Sequence, residues 1–328
     1  LAPATPKDTA QFALTATGYL KKQYGLDISP QDILPTAGGR AGMSIVAACT
    51  LSPADTVLVT EPGYPAFARI AAQFGANVIA SQLNPDSDFS PEFEYSEDIA
   101  RGSISMLAIN YPNNPSGATL SQAVRDKLRD LASHGATLFN DATYGPLVYN
   151  QAPHSLLSEA FPANNNPKVL ELHSFSKLFP IGPLAVSFLV GAQDLIQPMV
   201  VFSEYSSSPL SRLQLATTAE CLRDEDRIQQ FRDHIPNRLD LLRSVLTDIG
   251  FKTFSANSGT YLLCEVPQSI ADKPISSAQS AAKQLMDTFD IAVVPLGTQE
   301  RAYLRFSGLY RSDDLERLAA LRPKLLIR

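Results

Sequence analysis

Lys177 closes the run His173-Ser174-Phe175-Ser176-Lys177, and upstream of it stand Asn110-Tyr111-Pro112-Asn113-Asn114-Pro115-Ser116-Gly117 and Asp141-Ala142-Thr143-Tyr144. These residue types suggest a definite chemistry. A primary amine condenses with an aldehyde to a Schiff base. A carboxylate keeps a pyridine nitrogen protonated, so that the ring can take electrons from an adjacent carbanion. A phenol and a carboxamide can both bond a ring hydroxyl. Lys177, Asp141, Tyr144 and Asn114 are thus the set needed to hold an aldehyde built on a pyridine ring, which is pyridoxal 5'-phosphate.

Such residues need strands that end at one place. Met106–Ile109, Thr137–Phe139, Val169–Leu172 and Leu184–Val190 read as strands, as do Thr56–Thr60 and Val78–Ala80. They lack polar alternation, which is the mark of a parallel sheet covered on both faces. Helices alternate with them. One is predicted over residues 8–24 and ends at Gly25. A second opens at Gly38-Gly39 with Met43, Ile45, Val46 and Cys49 on its apolar face, a third covers 65–74, and a fourth covers 121–134 with Ser121 as N-cap and Gly135 as stop. The Pro- and acid-rich stretch 84–98 reads as exposed loop. The predicted fold class is α/β, a doubly wound, mostly parallel sheet.

After residue 209 the texture changes. Helices are predicted over 210–222 and 225–248, then short strands at Lys252–Phe254, Tyr261–Val266, Ile291–Val294 and Tyr303–Phe306, with helices at 277–288 and 313–322 among them. We therefore expect a large α/β domain over 1–208 and a smaller C-terminal α+β domain over 209–328 that begins with long connecting helices.

The order and spacing of these motifs resemble the class I/II aminotransferases, of the fold-type I pyridoxal-phosphate superfamily, from about Tyr19 to the C-terminus. The resemblance implies a three-layer α/β/α fold, transamination and a Schiff base on Lys177. It implies catalytic roles for Lys177, Asp141 and Tyr144, with Asp141 on the ring nitrogen and Asn114 and Tyr144 on the ring oxygen. It places Tyr64, in Glu61-Pro62-Gly63-Tyr64-Pro65-Ala66, as the aromatic that stacks on the ring. It places Arg305, in Tyr303-Leu304-Arg305-Phe306-Ser307, on the substrate α-carboxylate, which Asn114 shares.

The phosphate is expected at the turn Gly38-Gly39-Arg40-Ala41, where a helix begins, with Ser174 and Ser176 adding hydroxyl donors. One departure stands out. The family usually carries an Arg eight residues after its lysine, and here that position holds Ala185. Arg40 is the candidate to replace it. Taken singly these residues have plainer readings: Asp141 as a turn residue, Tyr64 as packing, Arg40 as a solvated charge at a helix start, Arg305 as half of a buried ion pair.

Composition narrows the partners. The chain of 328 residues carries a net charge of −6 and has a pI near 5.3, which argues against a nucleic-acid surface. Its three cysteines, Cys49, Cys221 and Cys264, are sparse and lie in apolar stretches, so they read as buried thiols and not as a disulfide framework. The four His residues lack metal-ligand spacing. No stretch is apolar enough to span a bilayer and no signal-peptide pattern stands at the start, so the expected location is the cytoplasm. The chain begins with Leu1 and not Met, which leads us to expect residues ahead of it; the family's N-terminal arm is short or missing. Small amino and 2-oxo acids are the expected partners, with a homodimer in which Tyr205-Ser206-Ser207-Ser208-Pro209 resembles a segment that often reaches across.

Two other functions stay open at this level: a lyase, decarboxylase or cyclase on the same scaffold, and an effector-sensing domain of the kind fused to winged-helix regulators, for which the chain shows no basic or helix-turn-helix segment.

Overall fold

The computed structural model describes residues 2–92, 96–149, 151–158, 168–184, 186–297 and 301–327. The strands are β1 (Ile33–Thr36), β2 (Thr56–Glu61), β3 (Asn77–Gln82), β4 (Met106–Ile109), β5 (Thr137–Asp141), β6 (Val169–Ser174), β7 (Ser187–Gly191), β8 (Tyr261–Glu265), β9 (Ser269–Ile270), β10 (Lys273–Pro274), β11 (Val294–Gly297) and β12 (Ala302–Ser307). The helices are α1 (Pro6–Tyr24), α2 (Gly39–Thr50), α3 (Ala66–Gln73), α4 (Ser96–Ala100), α5 (Gln122–Ser133), α6 (Gln193–Ser206), α7 (Arg212–Arg223), α8 (Glu225–Ile249), α9 (Ala278–Phe289), α10 (Ser312–Ala320) and α11 (Arg322–Leu325).

Seven strands form the central sheet in the order β1-β7-β6-β5-β4-β2-β3. The neighbours among β3, β2, β4, β5 and β6 are parallel. The α/β class with a mostly parallel sheet is therefore as expected. The apolar run around 184–190 differs in detail. Its strand starts at Ser187, after a 3-10 turn at Gly182–Leu184, and runs antiparallel to both β6 and β1. All of β7 is buried; an apolar run records coverage on two faces but not chain direction.

Register then gathers the strand ends. Ser187, at the start of β7, pairs with Thr36 at the end of β1 and with Ser174 at the end of β6. With β5 and β4 parallel to β6, the segments after β1, β4, β5 and β6 all leave from one edge of the sheet. That is the edge at which open α/β sheets bind ligands.

Helix α1 shows how sequence sets this layer. Thr5 and Asp8 close a capping box, Pro6 takes the first turn, and Gly25 ends the helix in the left-handed region. Phe12, Ala16, Tyr19 and Leu20 fall on one face and are buried. They pack with Phe188 and Val190 of β7 and Leu215, Ala219 and Leu222 of α7. Phe12 meets Phe188 edge-on at 6.0 Å between ring centres. Each such buried Phe or Leu stabilises the fold by roughly 2–3 kcal/mol.

Helix α2 lies on the opposite face of the sheet. Its Gly42 lets the first turn press on β6, since a Cβ there would stand 2.8 Å from Leu172 Cδ1.

The other sheet runs β11-β12-β8, antiparallel throughout. Leu262, Cys264, Leu304 and Phe306 turn one face to α8 and α9. Leu263 and Tyr303 on the other face join the cluster under β4 and β5. Arg305 and Tyr261 share the parity of that second face. Two readings of the sequence need correction. The stretch 84–98 is not simply exposed: Phe89 and Pro91 are buried, with Phe89 packed edge-on against Phe254 and Tyr303. Lys252–Phe254 is not a named strand, only a single bridge between Thr253 and Cys264. Among the described residues, no helix is long and apolar enough to cross a membrane.

Candidate active site

Above the gathered strand ends lies a cavity of about 480 Å³ lined by Gly39, Arg40, Met43, Tyr64, Asn110, Asn114, Asp141, Thr143, Tyr144, Ser174, Ser176, Lys177, Tyr261 and Arg305. Of the candidate site residues read from sequence, Gly38 and Ala41 are not part of this wall; Gly38 caps α2 and Ala41 sits in its first turn. Ala185 lies outside the described residues.

Lys177 follows β6 by three residues and is exposed to the cavity. Among the described residues its Nζ makes no hydrogen bond or salt bridge. Asp141 ends β5 and is only 5 % exposed. Its Oδ1 accepts the N–H (3.1 Å) and the hydroxyl (2.6 Å) of Thr143, while Oδ2 has no hydrogen bond among the described residues. Burial pushes this carboxyl above the ordinary value; the Thr143 bonds and the nearby His173 and Lys177 pull the other way and do not cancel it.

A string of hydrogen bonds ties the loops together. Arg305 Nη1 donates to Asn114 Oδ1 at 2.7 Å. The Asn114 N–H donates to Asn110 Oδ1 at 3.1 Å, and Asn110 Nδ2 donates to the carbonyl of Asp141 at 2.7 Å. The Asn114 oxygen is thus taken by Arg305, which leaves its NH2 group as the part that can serve a ligand.

Tyr144 is buried and its hydroxyl donates to that of Tyr261 at 3.3 Å. Burial, and then Tyr261, push the Tyr144 phenol far up. Burial also pushes Tyr261 up, but the bond from Tyr144 and the charges of Lys177 and Arg305 outweigh it and hold Tyr261 below its ordinary value. The Arg305 guanidinium lies 4.0 Å from the centre of the Tyr261 ring.

At the other end lies a turn lined with hydrogen-bond donors. Gly38 has φ +86, a turn open to glycine, and α2 starts behind it with the free N–H groups of its first turn. Ser174 Oγ and Ser176 Oγ are 3.1 Å apart beside it. Arg40 is exposed, and among the described residues its guanidinium has no hydrogen bond or ion pair.

A buried network supports the floor. Glu171 on β6 is fully buried and accepts from Ser155 Oγ (2.5 Å), the Leu156 N–H (2.9 Å) and Asn140 Nδ2 (3.2 Å), with His173 Nε2 3.2 Å away. Burial raises its carboxyl, yet His173 and these donors win and hold it below the usual carboxylate value. Asn140 in turn exchanges two bonds with the backbone of Tyr111, so the 110–117 loop and β6 share one anchor.

Sequence reading missed Tyr261, Asn110, Thr143 and Met43. Asn110 and Thr143 lay inside motifs already in view and face the cavity by position alone. Tyr261 had no local signal.

The family model for aminotransferase class I and II matches residues 3–320. The chain therefore belongs to that family of enzymes, which depend on pyridoxal phosphate. It is 26 % identical to transaminase BacF of Bacillus subtilis over 94 % of this chain and 77 % of the relative. It is 28 % identical to the LL-diaminopimelate aminotransferase of Methanocaldococcus jannaschii over 90 % of this chain and 71 % of the relative. The apo structure of Bacillus subtilis BacF superposes with a TM-score of 0.88 at 24 % identity, covering 97 % of this chain and 84 % of that one. A Thermus thermophilus aspartate aminotransferase mutant gives 0.82 at 23 % identity, covering 96 % and 85 %. These likenesses place the fold among the fold-type I aminotransferases.

Proposed function

We propose that this aminotransferase moves the amino group of an α-amino acid to a 2-oxo acid, with Lys177 as the residue that carries the cofactor and shuttles the proton. The observation that carries this is the convergence of Lys177, Asp141, Tyr144, Asn114 and Arg305 on one cavity from separate strand ends.

The donor set fits pyridoxal phosphate. Asp141 is buried as a residue and its Oδ2 has no hydrogen bond among the described residues, which suits a protonated ring nitrogen, and a positive charge there offsets the burial that raises this carboxyl. Asn114 Nδ2 and the Tyr144 hydroxyl suit the ring oxygen. Tyr64, 42 % exposed on the cavity wall, suits the ring face. The first turn of α2, including Gly39, Arg40 and Ala41, with Ser174 and Ser176, suits the phosphate. When bound, the group supplies an aldehyde and a ring able to take up the electrons left by α-proton removal.

The chain's own part follows. Arg305 forks onto the substrate carboxylate and, held by Asn114, fixes how the α-carbon presents its hydrogen. Lys177 Nζ takes that proton and later gives one back. Asp141 holds the proton on its ring partner throughout.

Arg40 stands in this proposal as the guanidinium that grips the phosphate. Arg40→Ala is expected to weaken cofactor affinity by about tenfold or more, read by titrating the visible absorption band; an unchanged affinity removes Arg40 from the cradle.

Borohydride reduction, digestion and peptide mapping test the whole reading: the pyridoxyl tag belongs on Lys177. Product analysis should show the amino group arriving on pyruvate or 2-oxoglutarate; ammonia or carbon dioxide released without an acceptor would mean a lyase or decarboxylase instead.

Three further assignments go with it. A homodimer is supported by the exposed Val201, Phe202 and Tyr205 on α6, with Tyr205 88 % exposed; sedimentation as a monomer would exclude it. A cytoplasmic location is supported by three unpaired thiols, and localisation of the tagged protein checks it. The division into 1–208 and 209–328 is supported by the separate apolar cluster around Leu239, Leu262 and Leu304. Helix α7, however, packs on α1, so limited proteolysis is expected to cut after it and not before.

A further inference from the structure

Tyr261 is the cavity residue that no motif announced, and three observations give it work. Its hydroxyl meets that of Tyr144 at 3.3 Å. Its ring lies under the Arg305 guanidinium at 4.0 Å. It opens β8, where it pairs with Ser307 two residues beyond Arg305 on the neighbouring strand. Its side chain thus touches both the candidate ring-oxygen ligand, Tyr144, and the candidate carboxylate ligand, Arg305.

We propose that Tyr261 is a positioning residue that joins the two ends of the active site, its ring carrying Arg305 and its hydroxyl setting Tyr144. The proposal rests on the function proposed above, because it acts through the residues named there.

The ring's task is mechanical and electrostatic. Arg305 spends one nitrogen on Asn114. A flat aromatic surface under the guanidinium holds its plane while leaving the remaining N–H groups free for a carboxylate. An aliphatic side chain offers no such quadrupole.

The hydroxyl's task depends on which way its hydrogen points. As the atoms stand, Tyr144 donates to Tyr261. Both hydroxyls rotate freely. When Tyr144 turns its hydrogen to a ligand oxygen, Tyr261 is left as the donor to Tyr144, and the pair becomes a two-step chain in which each bond strengthens the next. The charged and titratable groups that face Tyr261 are Tyr144, Lys177 and Arg305. The two cations make its hydroxyl the better donor of the pair.

Two substitutions separate the tasks. Tyr261→Phe keeps the ring and removes the hydroxyl; Tyr261→Leu removes both. With leucine the KM for the amino donor is expected to rise about tenfold, the scale of a desolvated cation–π contact. With phenylalanine KM stays within about twofold, while kcat falls severalfold because Tyr144 loses its donor.

A second measurement needs no cofactor. Ultraviolet titration of the cofactor-free full-length protein should show one tyrosine ionising below the ordinary range, and Tyr261→Phe should abolish that step. The proposal is overturned if Tyr261→Leu leaves KM within twofold of wild type, or if Tyr261→Phe leaves the tyrosinate titration unchanged. A wild-type protein that transfers no amino group would instead refute the function proposed above, and the cofactor-free titration would still decide where Tyr261 stands.

Discussion

Lys177→Arg is expected to abolish amino-group transfer, by at least about 10⁴-fold, and to erase the visible absorption of the bound cofactor. The substitution keeps a long cation in the same cavity, so charge and bulk are nearly conserved. A guanidinium neither condenses with an aldehyde under these conditions nor gives up its proton at neutral pH. Both duties assigned to Lys177 are lost together. The fold should not suffer, since Lys177 is exposed and without a hydrogen bond or salt bridge among the described residues; thermal unfolding of the cofactor-free variant should match wild type. A variant that retains even a hundredth of the wild-type rate, measured with purified enzyme and excess cofactor, would sink the assignment.

The second large effect runs in two directions. Asp141→Asn should slow transfer by about a thousandfold or more, because a neutral amide cannot hold a proton on the ring nitrogen, and a preorganised charge of this kind is worth several kcal/mol. The same change should stabilise the cofactor-free protein. The Asp141 carboxyl is raised above the ordinary 3.8 by burial. A raised folded value means that folding favours the protonated form. The stability from that preference is complete below the unfolded value and is lost as pH rises through the folded one. At pH 7 the ionised group is a burden that asparagine removes. A higher melting temperature at neutral pH is the expected result. The gain should shrink as pH falls toward the ordinary 3.8. An asparagine variant that is both active and less stable at neutral pH would contradict the placement of Asp141 as a buried partner of a cation.

Much of the architecture could be read from local pattern. Apolar runs ending in Asp141 and leading to Lys177 are strands buried on both faces, and parallel register carries their ends to one edge without further information. Ser121 and Gly135 frame α5 by capping chemistry alone. The failures have a common origin. Phe89 looked like part of an acidic loop because its burial depends on Tyr111, Phe254 and Tyr303, which come from distant segments. The direction of β7 depends on partners on each side and not on its own residues. Tyr261 escaped for the same reason. Its proposed role comes from the β8–β12 pairing that brings it under Arg305, and no spacing within residues 255–266 encodes that. Local rules describe what a segment does by itself, whereas sites assembled across elements depend on the pairing of the whole.

The bonds that run from Arg305 through Asn114 and Asn110 to the Asp141 carbonyl bear on attempts to retarget this enzyme. An engineer who removes Arg305, the proposed carboxylate ligand, to admit amines lacking a carboxylate would also release the Asn114 oxygen, and with it the orientation of that side chain's NH2 group. Redesign of substrate choice would have to supply a replacement donor for Asn114 in the same step. Libraries that vary position 305 together with position 114 should therefore yield active catalysts more often than libraries that vary either one by itself.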